Sequence, residues 1–244
     1  MTNARCEAWG MASNNRSDSW LSAYILHSRP LGEHKVILQL LLPEHGRLSA
    51  VARKKTGKQR TSLQPFQAAL LQLTGQAELK SIRKLEEQGP ALLLQGNSLY
   101  SGLYLNELLC RVWPDNLASD DLYALYDRCL HRLALAGQQA DAIEIALRKF
   151  EFALLAELGQ PINWHADANT QPLQSELLYQ WQHDLGWIAS PQGWSGSLIQ
   201  QVGAGDWSSV SCRRAAKQMS RAFLQPWLGT KPLASRALFQ QRGH

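Results

Sequence analysis

The sequence has few cysteines and no cysteine pair. Its four cysteines lie far apart and form no C-x-x-C motif: Cys6, Cys110, Cys129 and Cys212. This spacing excludes a zinc site built from cysteine pairs and does not favour a disulfide framework. We therefore expect reduced, mostly buried thiols, no bound metal and a cytoplasmic location.

Long apolar runs are also missing. The longest apolar-rich tract, residues 91–113, is broken by polar side chains, whereas a membrane span needs about 18 consecutive apolar residues. Residues 1–20 contain charged side chains and no apolar segment, so we expect no secretory signal.

The motifs of common enzymes are absent as well. The sequence has no G-x-x-x-x-G-K-S/T loop, no G-x-G-x-x-G, no H-E-x-x-H and no G-x-S-x-G. The histidines lack metal-ligand spacing, and the scattered carboxylates argue against a two-metal nuclease. We expect no catalytic residue and no cofactor, and hence a protein that is not an enzyme.

The charge that is present is unevenly distributed. Residues 20–84 contain eleven lysines and arginines but only three acids, whereas residues 85–244 contain twelve basic and fifteen acidic residues. A basic region joined to a mildly acidic one predicts that the first region binds a polyanion.

The sequence pattern of the basic region predicts a small β-barrel. Short apolar or alternating runs separated by turns predict five strands: Ala23–His27, Lys35–Leu42, Arg47–Arg53, Ala68–Thr74 and Leu79–Leu85. Gly46, in the turn after Pro43, can take a positive φ. Five strands favour an OB-type barrel over residues 20–88, although an SH3-like barrel would give a similar pattern.

In the rest of the chain the apolar residues recur with the spacing of a helix, so the predicted fold class is α+β. Residues 89–244 are expected to form a mainly helical domain, and residues 1–19 a flexible tail. The predicted helices lie near 99–113 and at Leu122–Ala136, Asp141–Leu158 and Trp207–Leu228, the last capped by Asp206 or Ser208. Residues 160–206 read as an irregular insert with short strands at Leu177–Trp181 and Trp187–Ser190.

Two basic clusters are candidates for DNA binding, because clustered positive charge neutralises phosphates and releases counterions. The first is a loop and its flanking strand: Arg47, Arg53, Lys54, Lys55, Lys58 and Arg60. The second lies on the last predicted helix: Arg213, Arg214, Lys217 and Arg221. The alternatives are a solvated loop and an amphipathic helix with a basic solvent face.

Two further features have weaker signals. Arg148 and Lys149 could receive an acidic peptide, but the sequence alone favours a surface pair matched with Glu144 and Glu151. Seven of the nine tryptophans follow residue 100, and the barrel region offers mainly Tyr24 and Phe66, so base stacking on the barrel is not favoured over backbone electrostatics.

Several stretches, in order along the chain, resemble the RecO family of bacterial recombination mediators. They are Ala23–Pro30 with Gly32 and Glu33, Glu44–Arg47 with Val51–Arg53, Leu63–Phe66, Glu78–Lys80, Tyr100–Leu109, Leu147–Leu155, and Lys231–Arg236 with Leu238 and Phe239. The basic loop looks shorter than is usual in that family, and Ser49 stands where a basic residue is common. Some members bind zinc through cysteines that this chain lacks, so no zinc is expected.

The resemblance implies an OB domain, a helical domain, and binding and annealing of single- and double-stranded DNA at the nucleoid. It also implies contact with RecR and with the acidic tail of single-stranded-DNA-binding protein, to help load RecA. By position, Arg47, Arg53 and residues 54–60 become DNA contacts, and Arg148 becomes the contact for the acidic tail. The rival hypotheses are a generic OB-fold module that binds RNA or the ribosome, and a nucleic-acid enzyme with an unrecognised site.

Overall fold

The computed structural model describes residues 19–43, 45–54, 66–75, 77–119 and 121–239, together with the backbone of residue 240. Five strands form a closed barrel in the order β1-β2-β3-β5-β4, which confirms the predicted barrel. Their bounds are β1 Leu21–Leu31, β2 Lys35–Leu42, β3 Gly46–Arg53, β4 Ala68–Thr74 and β5 Lys80–Gln88.

The β2–β3 hairpin follows directly from its sequence. Along β3, Leu48, Ala50 and Ala52 are buried while the residues between them are partly exposed, as the alternating pattern predicts. Gly46 takes the expected positive φ of +65° at the turn. A side chain there would collide with the backbone carbonyl of Leu117, so the turn also packs tightly against the helical part of the chain.

The remainder of the chain is mainly helical, as predicted. The helices are α1 Gly96–Val112, α2 Leu122–Ala136, α3 Ala140–Glu157, α4 Gly196–Ala204, α5 Val210–Leu228 and α6 Ser235–Gln240. A three-stranded sheet precedes α4 and contains β6 Leu178–Gln182, β7 Gly186–Ala189 and β8 Trp194–Ser195. Within the described ranges, no helix is long and apolar enough to span a bilayer.

The structure differs from the sequence prediction in several details. The cap of α5 is Ser209, whose Oγ accepts a hydrogen bond from the Cys212 amide at 3.1 Å, so the proposed caps Asp206 and Ser208 were wrong. Asp206 instead accepts hydrogen bonds from Ser208 within the preceding turn. The short helices α4 and α6 were not predicted.

One large core joins the barrel to the helices. The barrel has its own small apolar cluster, but Tyr24, Leu26, Leu41 and Phe66 belong to the cluster formed by the helices. The Tyr24 hydroxyl also donates a hydrogen bond to Asp127 of α2 at 2.6 Å. The two parts therefore share buried surface and are not merely connected by a linker.

The thiols behave as buried apolar groups. Cys129 and Cys212 are buried and Cys110 is half-buried, as expected, whereas Cys6 lies outside the described residues. Burial raises the pKa of Cys110 to about 11 and that of Cys129 to about 12. These two side chains are therefore uncharged thiols near neutral pH.

Candidate nucleic-acid interface

Exposed basic side chains lie on three neighbouring strands of the barrel, β2, β3 and β5. Lys35 of β2 pairs directly with Arg53 of β3, and both are exposed. Strand β3 also pairs with β5 in parallel, with Val51 opposite Ser81. Arg53 and Arg83 each follow this pair by two residues on their own strand. We call Lys35, Arg53, Lys54, Arg83 and Lys84 the basic row.

A bulge in β5 brings two of these side chains to the surface. Lys84 pairs with Gln72 of β4 and Ile82 pairs with Leu73, so Arg83 is an extra residue between them. Such a bulge re-aims neighbouring side chains. Arg83 and Lys84 are both exposed as a result, while Ile82 packs against the barrel core.

Four of the five side chains in the row lack an ion-pair partner among the described residues. In the part of the chain that the structure describes, no ion pair involves Lys35, Arg53, Lys54 or Lys84. Lys54 Nζ lies 3.4 Å from the carbonyl oxygen of Gly32. The other predicted loop contacts, Lys55, Lys58 and Arg60, lie outside the described residues.

Arg47 lies away from this row, at the junction with the helices. Its Nη1 atom is 2.8 Å from Asp115 Oδ1, and its Nε atom donates to the carbonyl of Trp113 at 2.8 Å. Only 12% of its side chain is exposed. Because these contacts occupy the guanidinium within the protein, the arrangement does not favour Arg47 as a DNA contact.

The basic stripe of α5 packs largely against α3. Arg213 forms an ion pair with Asp141 at 2.7 Å, and Lys217 forms one with Glu144 at 2.6 Å. The sequence showed no acid within α5, but the neutralising acids come from another helix. Of the four predicted residues, only Arg214 and Arg221 remain exposed. This arrangement does not favour a second DNA surface on α5.

Arg221 instead belongs to a cleft of about 500 Å³ between α1, α3, α5 and α6. The walls of this cleft combine basic side chains with apolar ones: Arg148, Lys217, Arg221, Arg236, Ile143, Leu147 and Phe239. Glu144 is the one carboxylate among its lining residues. A cleft lined by both basic and apolar side chains suits an acidic ligand that also carries an apolar group.

Arg148 lies in the wall of the cleft within a buried polar triad. Its Nη2 atom is 2.6 Å from Glu151 Oε1, which also accepts a hydrogen bond from the Tyr104 hydroxyl at 2.7 Å. Burial, followed by the Glu151 carboxylate, raises the pKa of Tyr104, so this hydroxyl stays protonated. Among the described residues, Arg148 Nε and Nη1 have no acceptor.

Lys149 lies on a different surface from Arg148. It is exposed in a shallow groove between α2 and α3, with its ammonium 6.0 Å from the centre of the Trp207 ring. The two residues that the sequence grouped into one site are therefore separated. Of the two predicted matches, Glu151 pairs with Arg148, while Glu144 pairs with Lys217.

Sequence reasoning missed the contribution of Lys35, Arg83 and Lys84. These residues were included in the charge count of the barrel region, and for Lys35 the predicted β2–β3 hairpin was a second signal. Lys35 lies opposite Arg53 through the β2–β3 hairpin, whereas Arg83 and Lys84 lie on β5, which pairs with β3 from about thirty residues further along the chain. Charge clustering along the sequence could not reveal that strand pairing.

Comparison with known proteins agrees with this architecture. The family model described as "Recombination protein O N terminal" matches residues 17–89, and "Recombination protein O C terminal" matches residues 93–237. A protein named DNA repair protein RecO from Alteromonas mediterranea is 37% identical over 236 residues, covering 93% of this chain and 99% of the relative.

Two further relatives carry the same name. The protein from Cellvibrio japonicus is 39% identical over 227 residues, covering 89% of this chain and 94% of its own length. The protein from Escherichia coli O139:H28 is 38% identical over 232 residues, covering 92% of this chain and 95% of its own length.

Proposed function

The chain belongs to the RecO family of DNA repair proteins, and from this membership we propose that it binds single- and double-stranded DNA through the basic row and anneals complementary strands. The proposed activity involves no covalent chemistry. Two phosphate backbones repel each other, and a surface that neutralises both lowers the free energy of bringing them together. Base pairing then supplies the sequence selectivity.

The observation that carries the proposal is the direct pairing of Lys35 with Arg53. Like charges opposite each other on neighbouring strands lower the stability of a sheet. Here no carboxylate of the described residues forms an ion pair with either side chain. A bound polyanion would relieve the repulsion, so the arrangement favours phosphate binding over stability of the free protein.

The double variant Lys35→Ala with Arg53→Ala tests this role. Each phosphate contact contributes about 0.9 to the slope of log affinity against log salt on duplex DNA, so we expect the slope to fall by about 2. The thermal midpoint should stay the same or rise. The matched control is Arg128→Ala with Arg132→Ala, which removes the same charge from exposed positions on α2. Equal losses in both double variants would contradict the proposal.

We also propose that the cleft binds the acidic, phenylalanine-ended tail of single-stranded-DNA-binding protein. Its basic side chains suit the acidic residues, and its apolar side chains suit the aromatic ring. A peptide of that composition should bind less tightly to Arg221→Ala and Arg236→Ala, two changes that leave the buried triad intact. Lys149→Ala is the control, and it should bind like the wild type. Loss of peptide binding in Lys149→Ala alone would rule out the cleft.

Contact with RecR and a role in loading RecA are further proposals, supported by the family alone. Strand annealing in the presence and absence of single-stranded-DNA-binding protein is the direct test of the whole function. A chain that bound structured RNA more tightly than single-stranded DNA at equal salt would instead be a general RNA-binding module. Cleavage of labelled DNA with Mg²⁺ or Mn²⁺ would show an enzyme.

A further inference from the structure

An exposed tryptophan lies at the end of the basic row. Trp20 immediately precedes β1, and 38% of its surface is exposed. The pairing of Leu21 with Leu71 places Trp20 beside Gln72 of β4, and Gln72 pairs with Lys84 of β5. The Lys84 ammonium lies 5.7 Å from the centre of the Trp20 ring.

The other aromatic side chains of the barrel region cannot reach a ligand. Tyr24 and Phe66 are each only 4% exposed and belong to the shared core. Trp20 is therefore the aromatic group that a strand bound along the basic row would meet, on the far side of β4 from Lys84. This position was not apparent from the sequence, which gave no sign that residue 20 lies near residue 84.

We infer that Trp20 and Lys84 form a binding site for one unpaired nucleobase of a single strand whose phosphates lie along the basic row. The inference rests on the DNA binding proposed above and adds base stacking to it. An indole ring stacks on any of the four bases, and the adjacent ammonium contacts the neighbouring phosphate. Bases in a duplex are already stacked on one another, so the site increases affinity only for single strands.

Three labelled ligands of equal length separate stacking from charge: a thymidine 20-mer, an abasic 20-mer with the same backbone, and a duplex. We expect Trp20→Ala to bind the thymidine strand at least roughly fivefold more weakly, with changes under about twofold for the abasic strand and the duplex. Trp20→Phe should retain most of the wild-type affinity. Leu31→Ala, which alters a barrel residue that is 40% exposed, should behave as wild type.

A second measurement uses the unaltered protein. A strand carrying 5-iododeoxyuridine should crosslink on irradiation to Trp20, as mapped by peptide mass spectrometry. Equal wild-type affinity for thymidine and abasic strands, equal losses of Trp20→Ala on all three ligands, or crosslinks that avoid Trp20 would overturn the inference while leaving DNA binding intact. A wild-type protein that binds none of the ligands would overturn the proposed function as well.

Discussion

At the scale of single residues, the tightest constraint lies at Gly46 in the β2–β3 turn. The residue has a positive φ, and an added Cβ would collide with the Leu117 carbonyl and approach the Trp113 indole nitrogen to 3.0 Å. Both neighbours belong to the segment after α1. The same turn therefore sets the hairpin register and fixes the distance between barrel and helices.

We expect Gly46→Ala to lower the free energy of unfolding by at least about 2 kcal/mol, since backbone strain and a backbone collision add together. Gly32→Ala is a matched control, because Gly32 has a similar φ of +66° with no atom near the added Cβ. That variant should lose only about 1 kcal/mol. Urea denaturation measures both, and equal losses would show that the contact with Leu117 is unimportant.

At the scale of secondary-structure elements, α6 is held in place by one carboxylate of α1. Glu107 accepts hydrogen bonds from the amides of Ala234 and Ser235 at 2.8 Å and from the Ser235 hydroxyl at 2.6 Å. Burial alone would raise the pKa of Glu107, but these hydrogen bonds, with Arg111 nearby, lower it below its ordinary value of 4.5. The carboxylate is therefore the form that stabilises the fold.

A lowered pKa in the folded state fixes the direction of the pH dependence. The stabilisation is fully present above pH 4.5 and is lost as the pH falls through the folded-state value. Glu107→Gln should cost about 1 kcal/mol at pH 7, and the difference from wild type should shrink in acid. Thermal melts between pH 7 and pH 3 measure this. Exposed Glu176→Gln is the control, and a constant difference across that range would contradict the assignment.

Elements defined by local pattern could be predicted from the sequence, whereas contacts between elements could not. Alternation along β3 and the apolar stripe of α2 each gave the correct element because the signal lies within the segment. The pairing of Arg213 with Asp141 joins helices 72 residues apart, so the stripe on α5 looked like a free basic surface. Arg53 was found by charge clustering, whereas the pairing of its strand with β5, which carries Arg83, is visible only in the closed barrel.

At the scale of the whole molecule, the barrel and helices should unfold as one unit. Their shared core contains Tyr24, Leu41 and Phe66 from the barrel region, and Arg47 joins the two parts at the surface. The Arg47 backbone takes part as well, since its carbonyl accepts a hydrogen bond from the Asn116 amide at 2.7 Å. This coupling keeps the basic row in a fixed position relative to the cleft.

Arg47→Ala tests that coupling and separates a structural role from DNA binding. The change removes contacts with Asp115, the Trp113 carbonyl and Gln39, and should cost about 2 kcal/mol, since hydrogen bonds to a charged group are worth more than neutral ones. The single unfolding transition should shift to lower temperature without splitting. Arg47→Lys should not restore the lost stability, because one ammonium cannot donate to all the acceptors that the planar guanidinium reaches.

The DNA affinity of Arg47→Ala, measured at a temperature where the variant is folded, should change by less than about twofold, unlike that of the Lys35 and Arg53 double variant. A variant with unchanged stability and weakened DNA binding would place Arg47 back on the DNA surface.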